Sequence, residues 1–280
     1  MFVHRLLSSF IIIIGLISVI VFSKGPLAIM AFLFTSILVL GGLYDFMQIT
    51  NRRGSKLLKA WGLITGFILH AVLFYRYFYN QTGEEIITLG TVFILITIFL
   101  IQLLFKQDVR FSILGICTTV TGILYVVWLF SYLVRITYLE EPNGSWIVAN
   151  LLLIAKSGDI FAYVIGKRFG KHKLTERISP GKTIEGSVAG ILGSIIVAYI
   201  VTRITPVPQK MVDDAVILGF IIGLFAQFGD LGESMLKRNA QVKDSGSYIP
   251  GMGGVLDLLD SVLFNAPLMY YYIRYFVGAL

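Results

Sequence analysis

Cysteine is nearly absent from this chain: Cys117 is the single thiol in 280 residues. One thiol excludes an intrachain disulfide and a thiolate metal cluster. Histidine is scarce as well, and His4, His70 and His172 are scattered without a metal-ligand spacing. Charged residues make up 14% of the chain, against about 25% in an average soluble domain. So little charge cannot cover an ordinary soluble surface. Proline is sparse and sits at breaks. Pro26, Pro142, Pro180, Pro206, Pro208 and Pro250 fall between apolar blocks, and only Pro267 lies within one, a position a membrane helix tolerates. There is no low-complexity tract and no evident internal repeat, which argues against an inverted-repeat carrier.

What is abundant is apolar sequence, 56% of the residues. It is grouped into blocks at 6–22, 27–48, 60–79, 85–104, 111–134, 146–166, 184–204, 214–230 and 259–279. Blocks approaching about 20 residues read as membrane helices. The expected fold class is all-α, a polytopic integral membrane helical bundle of about nine transmembrane helices. No strands are expected, because the blocks lack the alternation of a membrane barrel. Met1 to Phe22 resembles a signal peptide, but Ser23-Lys24-Gly25-Pro26 leads straight into another apolar block without a small-residue cleavage site. We take it as the first span. Residues 1–140 then form the N-terminal transmembrane helices, and 141–280 a C-terminal catalytic membrane region with cytoplasmic loops.

The net charge of +7 reflects cytoplasmic Lys/Arg bias rather than a nucleic-acid partner. With the N-terminus inside, the cytoplasmic loops hold Arg5, then Arg52, Arg53, Lys56 and Lys59, then Lys106 and Arg110. They also hold the six basic residues from Lys167 to Lys182, and Lys237, Arg238 and Lys243. These are 16 of the 23 basic residues. Three opposite loops carry Glu84/Glu85, Glu140/Glu141 and Asp213/Asp214. Arg76, Arg135, Arg203 and Arg274 sit near outer helix ends, where long side chains snorkel.

Two inner stretches are too polar and glycine-rich to be plain connectors: 166–186 and 229–261. In the second, Asp230, Glu233 and Lys237 fall on one helix face, and Asp257 and Asp260 repeat the three-residue spacing. Carboxylates gathered from two helices at a membrane boundary supply the hard oxygen ligands that Mg²⁺ needs. Between them, Lys243-Asp244-Ser245-Gly246 and Pro250-Gly251-Met252-Gly253-Gly254 combine glycines that let backbone N–H groups approach phosphate with cations that neutralise it. Gly181-Lys182-Thr183 is not a P-loop, since Glu176 stands where that motif requires its first glycine. Lys182 remains a candidate phosphate contact, and Glu185 either a helix-start carboxylate or a catalytic one. Lys156, Ser157 and Asp159 interrupt the sixth block. They form either a structural ion pair or the lining of a polar cavity.

At these residues the sequence resembles the phosphatidate cytidylyltransferases, the CDP-diacylglycerol synthases. The family pattern appears as Ser234, Lys237-Arg238, Lys243-Asp244-Ser245-Gly246, Pro250 to Gly254, and Asp257-Leu258-Leu259-Asp260, preceded by a matching segment from Asp159 to Gly186. Met252 stands where the pattern has His and Leu258 where it has Arg. The resemblance implies transfer of a cytidylyl group from CTP to phosphatidate, giving CDP-diacylglycerol and pyrophosphate. It implies catalytic roles for Asp230, Lys237, Arg238, Lys243, Asp244, Asp257 and Asp260. It implies substrate contacts at Asp159, Ser179, Lys182, Thr183, Glu185, Ser234, Gly251, Gly253 and Gly254. Mg²⁺ would be held by Asp230, Asp257 and Asp260, with a second ion such as K⁺. A homodimer in the inner membrane, with its active site facing the cytoplasm, is also expected. The alternatives are another CTP-using lipid enzyme, such as a polyprenol kinase or a related cytidylyltransferase, and a secondary transporter.

Overall fold

The computed structural model of the protein describes residues 28–50, 56–79, 84–104, 112–139, 143–246 and 253–278. Within them, six helices are long and apolar enough to cross a membrane. Helix α1 spans Ala28–Thr50, α2 Lys56–Phe78 and α3 Glu84–Leu104. Helix α4 (Ser112–Gly122) passes through a π-helical turn at Ile123–Trp128 into α5 (Leu129–Thr137), making one crossing. Helix α6 (Gly144–Phe169) leads to a two-stranded hairpin, β1 Lys173–Thr175 and β2 Ser179–Thr183, which feeds α7 (Ile184–Ile204). After the short α8 (Gln209–Asp213) come α9 (Ala215–Asn239), α10 (Leu256–Leu263) and α11 (Asn265–Tyr272), with a closing π turn at Ile273–Val277. The protein is thus an all-α polytopic membrane protein. The expected first span, 6–22, lies outside the described residues.

Two expectations change. The hairpin is the first: strands of three and five residues, paired antiparallel, are too short to register as alternation. Pro180 lies within β2, where a two-stranded ribbon leaves an edge that can do without its N–H. The second concerns the last apolar block, which is broken at Phe264 between α10 and α11. Pro267 is the cause we assign, since it has no N–H to offer the Leu263 carbonyl. Asn265 staples the break: its Nδ2 donates to Ser261 O at 2.8 Å and to Ile222 O of α9 at 3.1 Å.

The C-terminal half is organised by small residues. With no hydrophobic drive between helices inside a lipid phase, close backbone packing becomes the main source of association. A Cβ on Gly223 of α9 would lie 2.9 Å from Ser194 Cβ and 3.2 Å from Ile191 Cα of α7. A Cβ on Gly190 of α7 would lie 2.9 Å from Gly158 O of α6. The outer side of α7 shows Ile184, Val188, Leu192, Ile196, Ile200 and Ile204 at four-residue intervals, each about half exposed or more. That unbroken apolar stripe is what acyl chains require of a lipid-facing helix.

We predict that Gly223→Leu, which forces α7 and α9 apart, costs about 1–3 kcal/mol as overpacking. The measurement is thermal melting of detergent-solubilised protein, where the variant should melt several degrees lower; an unchanged melting temperature would deny the close α7–α9 contact.

Candidate active site

Helix α9 carries Asp230, Glu233, Ser234 and Lys237 at spacings of three and four, so all share one face. Glu233 and Ser234 are buried. Gly229, just before Asp230, lets α9 meet α10 backbone to backbone, because a Cβ there would collide with the Asp260 carbonyl oxygen. This close approach brings Asp230, Glu233 and Asp260 together, with one carboxylate oxygen of each within 4.8 Å of the others. Asp230 and Glu233 precede the end of α9 at Asn239 by ~14 Å and ~9 Å of helix rise, so the trio is recessed from that helix end.

Three carboxylates this close repel strongly in a low-dielectric bundle. Each has a lysine of its own, supplied by three different elements. Lys182 of β2 places Nζ 2.7 Å from Asp230 Oδ2. Lys237 of α9 places Nζ 2.6 Å from Glu233 Oε2. Lys156 of α6 lies 3.8 Å from Asp260 Oδ1, donates to Ser261 Oγ at 2.7 Å, and lies 3.5 Å from Asp159 Oδ2. Of the two options the sequence left for Lys156 and Asp159, the structure shows the ion pair, and it lies beside the trio.

The trio fits a hard divalent cation. Glu233 is fully buried, and its Oε1 has no hydrogen-bond partner. Leaving a buried acceptor unsatisfied costs about 1–3 kcal/mol, more for a charged group, and a Mg²⁺ coordinated by carboxylate oxygens removes that cost. Asp257, expected among the ligands, is instead engaged elsewhere. Its Oδ1 meets Lys237 Nζ at 2.5 Å, and its Oδ2 accepts from Ser245 N (3.0 Å), Ser245 Oγ (2.5 Å) and Gly254 N (2.8 Å). Asp257 therefore ties the two glycine-rich segments together. Gly253 turns there at φ +103°, a conformation that favours glycine.

A residue the sequence did not single out completes this turn. Asp45 of α1 is fully buried, and its Oδ2 accepts from Leu256 N at 3.1 Å. A Cβ on Gly254 would collide with that same oxygen. Asp45 thus docks the start of α10 onto the N-terminal helices. Its signal was a lone acid in an apolar block, which costs about 2.5–3.5 kcal/mol unless something pairs with it.

The hairpin acts as the mount for Lys182. Thr183 caps α7 by accepting from Gly186 N at 3.1 Å, and Glu185 accepts from Lys171 N (3.1 Å), His172 N (3.2 Å) and His172 Nδ1 (2.6 Å). Both are expected substrate contacts, and the structure gives them these local partners, Glu185 as the helix-start carboxylate. Ser179 opens β2 opposite Thr175. Arg238 donates to Ile178 O at 3.0 Å and to Val242 O at 3.3 Å, clasping the hairpin turn to the end of α9. Lys243 and Asp244 are exposed at the turn beyond α9, next to buried Ser245. Ser234 Oγ lies 3.4 Å from Asp230 Oδ1. Leu258 is buried in the core, while Gly251 and Met252 lie outside the described residues.

The family model of the cytidylyltransferase family matches residues 3–276. A phosphatidate cytidylyltransferase of Bacillus subtilis is 32% identical over 247 residues, covering 87% of this chain and 89% of its own length. One of Staphylococcus epidermidis is 32% identical over 248 residues, covering 88% and 90%. One of Synechocystis sp. is 38% identical over 196 residues, covering 61% and 66%. With a match running almost end to end over a bundle that gathers carboxylates and lysines at one recessed site, the chain belongs to the cytidylyltransferase family.

Proposed function

We propose that the protein transfers the cytidylyl group of CTP to phosphatidate, forming CDP-diacylglycerol and releasing pyrophosphate. The observation that carries this reading is the trio of Asp230, Glu233 and Asp260, each with its own lysine, in a chain of this family. A phosphatidate oxygen attacks the α-phosphorus of CTP as the bond from that phosphorus to the β-phosphate bridging oxygen breaks. The attacking phosphate is already anionic, so no strong base is needed. What the site must supply is charge neutralisation and alignment.

Asp230, Glu233 and Asp260 would hold Mg²⁺, which when bound supplies Lewis-acid neutralisation of phosphate oxygens. Lys182, on its rigid hairpin, is set to exchange part of its contact with Asp230 for a substrate phosphate. Arg238 and Lys243 add positive charge at the entrance. Asp257 and Asp45 position the glycine-rich turn, whose backbone N–H groups can approach phosphate. The apolar bundle surface admits acyl chains from the side. The Lys/Arg bias of the loops at the same end supports an active site on the cytoplasmic side, and bacterial relatives fit a multi-pass protein of a bacterial membrane. A homodimer belongs to the same proposal through the family resemblance.

The decisive assay incubates purified protein with radiolabelled CTP, phosphatidate and Mg²⁺ and looks for a labelled lipid; no labelled lipid with any divalent ion sinks the proposal. Chelation by EDTA should abolish turnover, and added Mg²⁺ should restore it. Asp230→Asn and Glu233→Gln should each lower turnover about 100-fold and weaken Mn²⁺ binding by a similar factor, as loss of charge at a metal site does. Asp257→Asn should also abolish turnover yet keep Mn²⁺ affinity, because it holds the turn rather than the ion. Lost Mn²⁺ binding in Asp257→Asn would return Asp257 to the ligand set.

A further inference from the structure

Lys156 stands out among the groups that the proposed reaction does not use. It sits in the middle of the α6 span, with its side chain 15% exposed, where an ionised group costs about 2.5–3.5 kcal/mol on insertion scales. Its ammonium lies between the carboxylates of Asp159 and Asp260, at 3.5 Å and 3.8 Å, and donates to Ser261 Oγ at 2.7 Å. Its hydrogen bonds go to Ser261 Oγ and Asp159 Oδ2, while Asp260 is met as an ion pair. The position is therefore occupied by a built-in cation with oxygen neighbours from three residues.

The charges of the connected network sharpen this. Lys156 pairs with Asp159 and Asp260, Lys182 with Asp230, and Lys237 with Glu233 and Asp257. Five paired carboxylates face three ammonium groups, so with all of them ionised the network carries excess negative charge that a divalent ion would offset. A sixth carboxylate, Asp45, lies near Asp257 at the glycine-rich turn and accepts from the Leu256 backbone N–H. Without Lys156 the network would be one charge more negative, with an oxygen-lined vacancy beside Asp260.

We infer that Lys156 is a resident cation of the active site, holding Asp260 and Asp159 so that the trio takes one divalent ion and needs no second, dissociable cation. The inference rests on the metal-dependent transfer proposed above, and it departs from the second ion that the family resemblance implies. Lys156 is a positioning residue here, since it acts through Asp260.

The test counts ions without substrate. Mn²⁺ titration of detergent-solubilised protein, followed by electron paramagnetic resonance, should give one Mn²⁺ per chain, equally in potassium chloride and in tetramethylammonium chloride. Turnover of the wild type should likewise not change between those salts. Lys156→Met should lose about tenfold or more in turnover in tetramethylammonium, as loss of an outer support for a metal ligand does, and regain part of it in potassium. Lys156→Arg, which keeps the positive charge, should not acquire this salt dependence. A merely structural pair would lower the melting temperature of Lys156→Met without creating this salt dependence. Two Mn²⁺ per wild-type chain, none at all, or a wild-type enzyme that requires potassium would overturn the inference. So would Lys156→Met turning over equally in both salts. If Lys156→Met does not fold, the wild-type ion count and salt response still decide. A wild type that binds one Mn²⁺ yet makes no labelled lipid would instead overturn the transfer reaction and leave the inference standing.

Discussion

The structure turns on one electrostatic constraint: three carboxylates converge within 4.8 Å inside a membrane bundle. Burying such a cluster is prohibitive unless each charge is met, since desolvation outweighs any attraction that is poorly placed. The protein meets it with lysines from α6, β2 and α9, so three separate elements must dock correctly for the cluster to exist at all. Much else follows from that requirement. The hairpin is clamped by Glu185 at its base and Arg238 at its turn, which fixes Lys182. The glycines of α6, α7 and α9 bring the helices close enough for their side chains to meet.

The site has two layers with different duties. The inner layer is the trio, with Glu233 Oε1 left open for a ligand. The outer layer is the turn tied by Asp257 to Ser245 and Gly254 and seated on Asp45. Lys237 belongs to both, touching Glu233 and Asp257 at once. A change in the turn is therefore transmitted to the inner carboxylates through a single ammonium group. This coupling suits a site whose substrates arrive from different phases, the nucleotide from water and the lipid from the bilayer.

The membrane class was legible from the spacing of apolar blocks, and the motifs between Asp159 and Asp260 cover the stretch where carboxylates and lysines gather. What the sequence could not rank was which of several nearby acids point at one another. Asp230, Glu233, Asp257 and Asp260 look equivalent as text, and only the Gly229 contact and the Ser245 and Gly254 hydrogen bonds separate Glu233 from Asp257. The hairpin escaped notice because its strands are three and five residues long and its stability comes from contacts to α7 and α9 rather than from alternation. Asp45 showed only as a lone acid in an apolar block, and its role stayed hidden for a different reason. Its partner is a backbone N–H, which leaves no mark on the sequence of α10.

The Asp45–Leu256 hydrogen bond joins residues 211 positions apart, and this has a consequence for biogenesis. A membrane protein is threaded into the bilayer from its N-terminus, so the carboxylate of α1 enters well before the N–H group it serves has been synthesised. Throughout that interval the early helices carry an acid without its final partner. The nascent bundle must keep that acid hydrated, or protonated, until the last helices arrive. The glycine-rich turn therefore cannot be seated on Asp45 until the start of α10 has been made.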